Sequence, residues 1–306
     1  MQTAVYNHIE DVLNRFLAEQ KLPAAYGTIA LTWFWPVLEK IVNFQAAERR
    51  PIVVGINGCQ GSGKSTLAAL AVDIFTNIHN KTAVAISIDD FYLTIAERES
   101  LAQTVHPLLL TRGVPGTHDM ALANNTLAEL MAGKSPVKIP RFNKAIDDRA
   151  APEEWVAHDA PVDIIILEGW CMGSVAQTEG ELETPVNELE EFEDRSGIWR
   201  KYVNEQLATS YKSFFDLVDM WIMLKAPSFD CVYRWRLEQE EKLKLSLQGL
   251  KSGRADYRVM SPQQIKRFIQ YYQRVTEHTL QALPGKVEFL YEMDGDRNIL
   301  TLHERL

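Results

Sequence analysis

Apolar positions along this chain fall into two periods. The runs Ile52–Ile56, Thr82–Ile88, Val162–Leu167, Val218–Leu224 and the weaker Val287–Tyr291 are short and nearly continuous. Strands buried on both faces read this way. Segments with helical spacing separate them. The alternation predicts βαβ units, hence an α/β fold with a doubly wound, mostly parallel sheet and helices on both faces. In such sheets ligands sit at the carboxyl ends of the strands.

Ahead of the first strand, Val5, Ile9, Val12, Phe16 and Leu17 recur at helical spacing, and a second apolar segment, Ile29–Val42, breaks at Pro36. Residues 1–50 therefore read as a helical extension packed on a core domain, 51–306. Further helices are expected from Thr66 to about Ile78, over Met120–Met131, over 229–247 and after Ser261. Pro262 and Gln264 there complete a capping box, and Ile265, Phe268, Ile269 and Tyr272 line one face. Residues 93–160 form a long, loop-rich insertion that reads as functional. The acidic run within 178–195 reads as a solvated loop or mobile insertion. The polar stretch 249–256 reads as a turn.

Chemistry concentrates where strands end. After Ile52–Ile56 comes Gly58-Cys59-Gln60-Gly61-Ser62-Gly63-Lys64-Ser65, which fits G-x-x-x-x-G-K-[ST], and Thr66 then opens a helix. Strand, glycine-rich loop and helix start are the context a triphosphate-binding loop requires. Glycines let several N–H groups converge on the phosphates, and the helix N-terminus adds its dipole. Gly58, Gln60, Gly61, Ser62, Gly63, Lys64, Ser65 and Thr66 are the candidate nucleotide-binding residues. Lys64 can reach the β- and γ-phosphates, and the Ser65 hydroxyl can ligate Mg²⁺. The second strand ends at Ser87-Ile88-Asp89-Asp90-Phe91-Tyr92. Asp89 is placed to take a proton from a substrate hydroxyl. Asp90 should diverge from it and is the weaker candidate base. Glu168, closing the third strand, can hold Mg²⁺.

Composition narrows the partners. A net charge of −9 over 306 residues disfavours nucleic acid. No apolar run is long enough for a membrane span, and the N-terminus lacks the core of a secretory leader, so a cytoplasmic enzyme is expected. Cys59, Cys171 and Cys231 are widely spaced. They suit reduced thiols better than a metal cage or disulfides, with Cys59 a candidate for oxidation sensitivity by its position alone.

Taken together, the phosphate loop, SIDDFY and ILEGW resemble the P-loop kinases of small metabolites, the uridine kinase, phosphoribulokinase and pantothenate kinase group. More narrowly, SIDDFYLT, RGVPGTHD, KIPRFNKA with DDR, and LEGWCMG resemble the D-glycerate 3-kinase family. The resemblance covers about residues 50–280. It implies ATP, Mg²⁺, and an acceptor hydroxyl activated by Asp89. It implies an acceptor pocket for which Arg112, His118, Asp119, Lys138 and Arg141 are candidates, with Asp90 and Tyr92 beside the base. It also implies a lid over about 229–256 carrying Arg234 and Arg236. A cationic pocket suits a small carboxylate such as glycerate.

The expected function is transfer of the ATP γ-phosphate to a hydroxyl of a small metabolite, with D-glycerate the leading acceptor and a pantothenate- or nucleoside-like acceptor the alternative. From another class, a nucleotide switch or assembly factor would want N-K-x-D for guanine. Asn143-Lys144-Ala145-Ile146 fails that pattern at the last place.

Overall fold

Each of the five apolar runs becomes a strand of one sheet. The computed structural model describes residues 2–248 and 260–305. Its strands are β1 (Ile52–Gly58), β2 (Ala83–Ser87), β3 (Val137–Ile139), β4 (Phe142–Asn143), β5 (Asp148–Arg149), β6 (Val156–His158), β7 (Ile164–Gly169), β8 (Met220–Lys225), β9 (Phe289–Met293) and β10 (Ile299–Glu304). Six form the central sheet, in the order β10-β9-β8-β1-β7-β2. All neighbours are parallel except the β9–β10 pair. The doubly wound α/β architecture expected from the sequence is therefore present. β1 lies between strands that follow it on opposite sides, so the crevice beyond its carboxyl end is a ligand site by topology alone.

Three of the later strands begin two residues after their apolar runs. For β7 and β8 the reason lies in two aspartates. Asp163 and Asp219 precede β7 and β8, and each accepts a backbone N–H from a neighbouring segment, Thr82 and Val53, at 2.8 Å. At the other end β7 continues through Glu168 and Gly169, polar positions that pair in register with Ile56 and Asn57 of β1. β10 was not foreseen. It is a mostly exposed edge strand with a weak apolar pattern.

Helix Lys64–Asn77 packs on one face of the sheet. Phe16, Phe34, Val37, Leu38 and Ile41 from the N-terminal segment join the same core as Ile52, Leu67 and Ile222. Pro36 does not break its helix. The rod runs Ala25–Ile29, through one wide π-turn at Ala30–Phe34, into Trp35–Glu48. The extra residue in that turn relieves the clash a proline makes with the preceding carbonyl. On the opposite face lie Met120–Met131 and the tyrosines Tyr271 and Tyr272 of helix Pro262–Ala282. Ser261 caps that helix with the expected box.

The acidic run is not a solvated loop. It forms two short helices, Glu179–Glu183 and Glu188–Glu193. Two of its acids are fully buried and paired: Glu190 with Arg274 at 2.6 Å, Asp194 with Arg200 at 3.0 Å. Those arginines come from distant sequence, so the run alone reads as solvated. Removing one partner of such a pair costs about 3–5 kcal/mol. Helix Phe229–Gln248 carries the candidate lid arginines. The rest of that expected lid, 249–256, lies outside the described residues.

Candidate active site

Three adjacent strand ends build the phosphate side. In register, Ile56 of β1 and Ser87 of β2 flank Glu168 of β7 on either side. Neighbouring strands run about 4.8 Å apart, so the loop after β1 and the turn after β2 face each other across Glu168 at about 10 Å. Gly61 and Gly63 sit at φ 81° and 93°. At Gly63 an added Cβ would have open space, so what favours glycine there is the left-handed backbone itself. Gly63 is also the N-cap of helix Lys64–Asn77, and no side chain caps that end. Its first amides remain open to an anion.

Ser65 Oγ donates to Glu168 Oε1 at 2.9 Å, and Lys64 Nζ lies 4.0 Å from Glu168 Oε2. The Oε2 oxygen is buried without a hydrogen-bond partner. A hydroxyl beside an orphaned carboxylate oxygen is a donor set that fits Mg²⁺. Among the described residues no cluster of three or more His, Cys, Asp or Glu side chains forms a metal cage. Asn57 ties this region together, donating to the carbonyls of Trp170 and Met172. Gln60 and Ser62 carry buried oxygens without partners, and Thr66 is half-buried in the first helical turn. Cys59 is buried and its thiol is pushed up to about 12 by burial, so it stays protonated at neutral pH. That environment removes the expectation of an oxidation-sensitive thiol.

The acceptor side starts at the 3₁₀ turn Ile88–Phe91, capped by Ser87. Asp89 and Asp90 diverge as expected. Asp89 Oδ1 accepts from the Tyr92 hydroxyl at 2.9 Å, and Oδ2 accepts from Lys144 Nζ at 2.7 Å. Asp90 accepts from Arg141 at 2.7 Å and from the Phe142 amide at 3.3 Å. Burial pushes both carboxyls up. For Asp89 the charge and hydrogen bond of Lys144, with the charge of Lys64, outweigh it and hold the group below the ordinary range. For Asp90 burial prevails over Arg141 and the carboxyl titrates high. Of the two carboxyls Asp89 is thus held the lower, and the charge of the phosphate-loop lysine contributes to that.

A cavity of about 1000 Å³ opens beside this pair, lined by Arg112, Arg141, Phe142, Lys144, Arg236 and Phe268 among others. Arg112 stacks 5.1 Å from the Phe142 ring centre and is ion-paired with Asp147, which Arg98 also engages. Arg236 pairs with Glu240 at 2.8 Å. Lys138, Arg234, His118 and Asp119 do not line this cavity. Lys138 is exposed and reaches the Pro152 carbonyl at 3.4 Å. Arg234 is exposed, near Gly295 and the Cys231 sulfur. His118 is buried beneath Tyr92, with ring centres 4.4 Å apart, and its Nδ1 meets the Tyr211 hydroxyl. Burial lowers its pKa to about 4, so it is neutral at pH 7 and supports Tyr92 instead of presenting a cation. Asp119 caps Met120–Met131 through Leu122 N and accepts from Arg149 at 3.2 Å.

Comparison with known proteins agrees with this geometry. Residues 53–189 match the phosphoribulokinase/uridine kinase family. Over 269 residues the chain is 33% identical to the uncharacterized kinase mug58 of Schizosaccharomyces pombe, covering 82% of this chain and 90% of that one. The chain belongs to the phosphoribulokinase/uridine kinase family. It is 31% identical over 232 residues to the chloroplastic D-glycerate 3-kinase of Arabidopsis thaliana, covering 72% of this chain and 46% of that longer protein. A solved D-glycerate 3-kinase from Cryptococcus neoformans superposes with a TM-score of 0.72 at 24% identity, over 88% of this chain and 99% of that one. That likeness speaks for the fold.

Two residues of this kinase escaped the sequence reading. Lys144 lies within the cationic stretch 138–144, but nothing in the string ranks it above its neighbours. Its bond to Asp89 needs the β4–β5 ribbon to fold back. Arg297 sits at φ 69° in the β9–β10 turn and donates to the Gly61 carbonyl of the phosphate loop at 2.7 Å. No local signal connects residues 236 apart.

Proposed function

We propose that this kinase transfers the γ-phosphate of ATP to a hydroxyl of a small anionic metabolite, with D-glycerate the leading acceptor. The observation that carries the reading is Asp89, an ionised carboxylate across Glu168 from the phosphate loop and bonded to Lys144, one of the cations lining the cavity. The acceptor oxygen attacks the γ-phosphorus, its proton passes to Asp89, and the bond to ADP breaks with its electron pair on the departing oxygen. Lys64 and the open amides after Gly63 neutralise the phosphates. Ser65 and Glu168 would hold Mg²⁺, which when bound spreads the phosphate charge. Arg112, Arg141 and Arg236 suit a carboxylate on the acceptor. The names of the relatives point to glycerate in particular.

The cavity is larger than a three-carbon acid requires, so pantothenate- and nucleoside-sized acceptors remain in the test. ATP consumption is measured against a panel of hydroxy acids, vitamins and nucleosides with glycerate included. The expected result is highest kcat/KM with D-glycerate. Binding of ATP with no turnover of any hydroxylated acceptor would overturn the kinase mechanism. Preference for another acceptor would overturn glycerate alone. No described helix is long and apolar enough to cross a membrane.

A further inference from the structure

Each cation lining the large cavity is matched by a carboxylate. Arg112 meets Asp147, Arg141 meets Asp90, Arg236 meets Glu240 and Lys144 meets Asp89. An anionic acceptor must therefore exchange with one of these acids. The four pairs are not equally held. Arg112 stacks on Phe142 and Arg236 lies over Phe268 at 5.8 Å. Asp90 is held by the Phe142 amide as well as by Arg141, and Glu240 by the Met260 amide. Lys144 has one hydrogen bond to Asp89, no aromatic face against it among the described residues, and 61% of its side chain exposed. Its flexible stem can swing without disturbing the ribbon.

Asp89 supplies the second half of the reasoning. One oxygen is held by Tyr92, which is buried and fixed by stacking on His118. The other is held by Lys144. Each oxygen keeps a second acceptor position, but Lys144 lines the cavity where Asp89 does not, so its ammonium stands between an incoming hydroxyl and Oδ2. Of the two donors only Lys144 is placed to leave.

We propose that Lys144 is a gate on the base: it covers Asp89 Oδ2, yields that oxygen to the acceptor hydroxyl, and turns its ammonium onto the acceptor's anionic group. This rests on the reading of Asp89 as the base and extends it to a requirement for charge on the acceptor. Binding of the anion and release of the base become one event. A neutral alcohol offers the lysine nothing in exchange and leaves the base covered.

The test uses Lys144→Met, which keeps the stem and removes the charge, and Lys144→Arg, which keeps the charge. The first arm needs no turnover. The Asp89 carboxyl is titrated by ¹³C NMR in the full chain. Tyr92, Lys64, His118, Asp90, Cys171 and Tyr272 face it from the surrounding elements and remain. Lys144 is the largest of the influences opposing burial, so the pKa rises in Lys144→Met and returns toward wild type in Lys144→Arg. An unchanged pKa in Lys144→Met would overturn the gate.

The second arm compares KM for the best anionic acceptor from the panel with KM for its neutral amide. Lys144→Met is expected to raise the first roughly 10- to 100-fold, the loss of one charged hydrogen bond, and to lower the second, because Oδ2 is no longer covered. Its acid limb of kcat/KM moves to higher pH. Equal changes in both KM values would also overturn the proposal. If the wild-type chain turns over no acceptor at all, the proposed function fails on that control, while the titration still decides whether Lys144 governs Asp89.

Discussion

Residues 58–66 act through their backbone, whereas the surface facing them acts through side chains drawn from positions 89 to 268. The phosphate loop needs left-handed glycines, an uncapped helix and one lysine, all within nine consecutive residues. The proposed acceptor side draws Asp89 and Tyr92 from the turn after β2, Arg112 from a loop, Arg141 and Lys144 from the two ends of β4 and Arg236 from a helix, each tied to a partner. A backbone cradle serves any triphosphate, so it tolerates little variation. A surface of exchangeable ion pairs can be re-addressed to another acceptor by moving a few charges. The two sides should therefore fail differently when broken.

The largest effect is expected at their junction. Asp89→Asn keeps the shape and the Tyr92 contact but removes the proton acceptor. Turnover should fall by roughly 10²–10⁴ while ATP affinity stays nearly intact. Equal losses in rate and in ATP affinity would place Asp89 on the phosphate side, as a metal ligand first. Lys64→Ala should cost on the order of 10²–10³ in turnover. Its loss should be the same whichever acceptor is offered, because Lys64 belongs to the cradle. A loss that depends on the acceptor would blur the division drawn here.

How far each side could be read from the sequence follows the same division. The phosphate loop was legible because its chemistry is local: strand, glycines, lysine and helix are contiguous, and backbone geometry follows from residue type. The sheet was legible because strands buried on both faces leave continuous apolar runs. Asp89 and Glu168 were visible as polar residues ending such runs. The acceptor side was legible as a list and illegible as an arrangement. His118, Lys138 and Lys144 look alike in the string, yet one is buried under Tyr92, one points away and one bonds the base. Buried Glu190 looked solvated because Arg274 lies 84 positions on.

His118 allows a smaller effect to be read on stability. Burial holds it near 4, below the ordinary 6.5. Between those values the unfolded chain binds a proton that the folded chain refuses. Stability from this residue is therefore full above about pH 6.5 and declines toward pH 4, by about 3 kcal/mol. Tyr92, Tyr211 and Asp89 are the polar groups facing it. His118→Phe should flatten the slope of unfolding free energy against pH in that window, measured by urea denaturation. An unchanged slope would mean that His118 is protonated in the folded chain and acts on the acceptor side as a cation.

The smallest effect, and the sharpest probe of the cradle's independence, is at Arg297. Its guanidinium donates to the Gly61 carbonyl, pairs with Glu238 at 2.7 Å and lies 5.0 Å from the Trp235 ring centre. Trp235 in turn donates to the Gly295 carbonyl. The β9–β10 turn thus fastens the phosphate loop to the first turns of helix Phe229–Gln248, the helix whose Arg236 lines the acceptor cavity. A cradle that worked through local backbone alone would not need this clasp. Removing the donor leaves the Gly61 carbonyl to water, a loss of about 1 kcal/mol for one partly buried hydrogen bond. Arg297→Ala should then raise KM for ATP several-fold, with kcat changed less, and shift Trp235 fluorescence. Arg297→Lys should recover charge without the paired geometry and restore KM only in part. If the variant instead changed KM for the acceptor and left ATP unaffected, the clasp would belong to the helix, and the phosphate loop would stand on its own backbone after all.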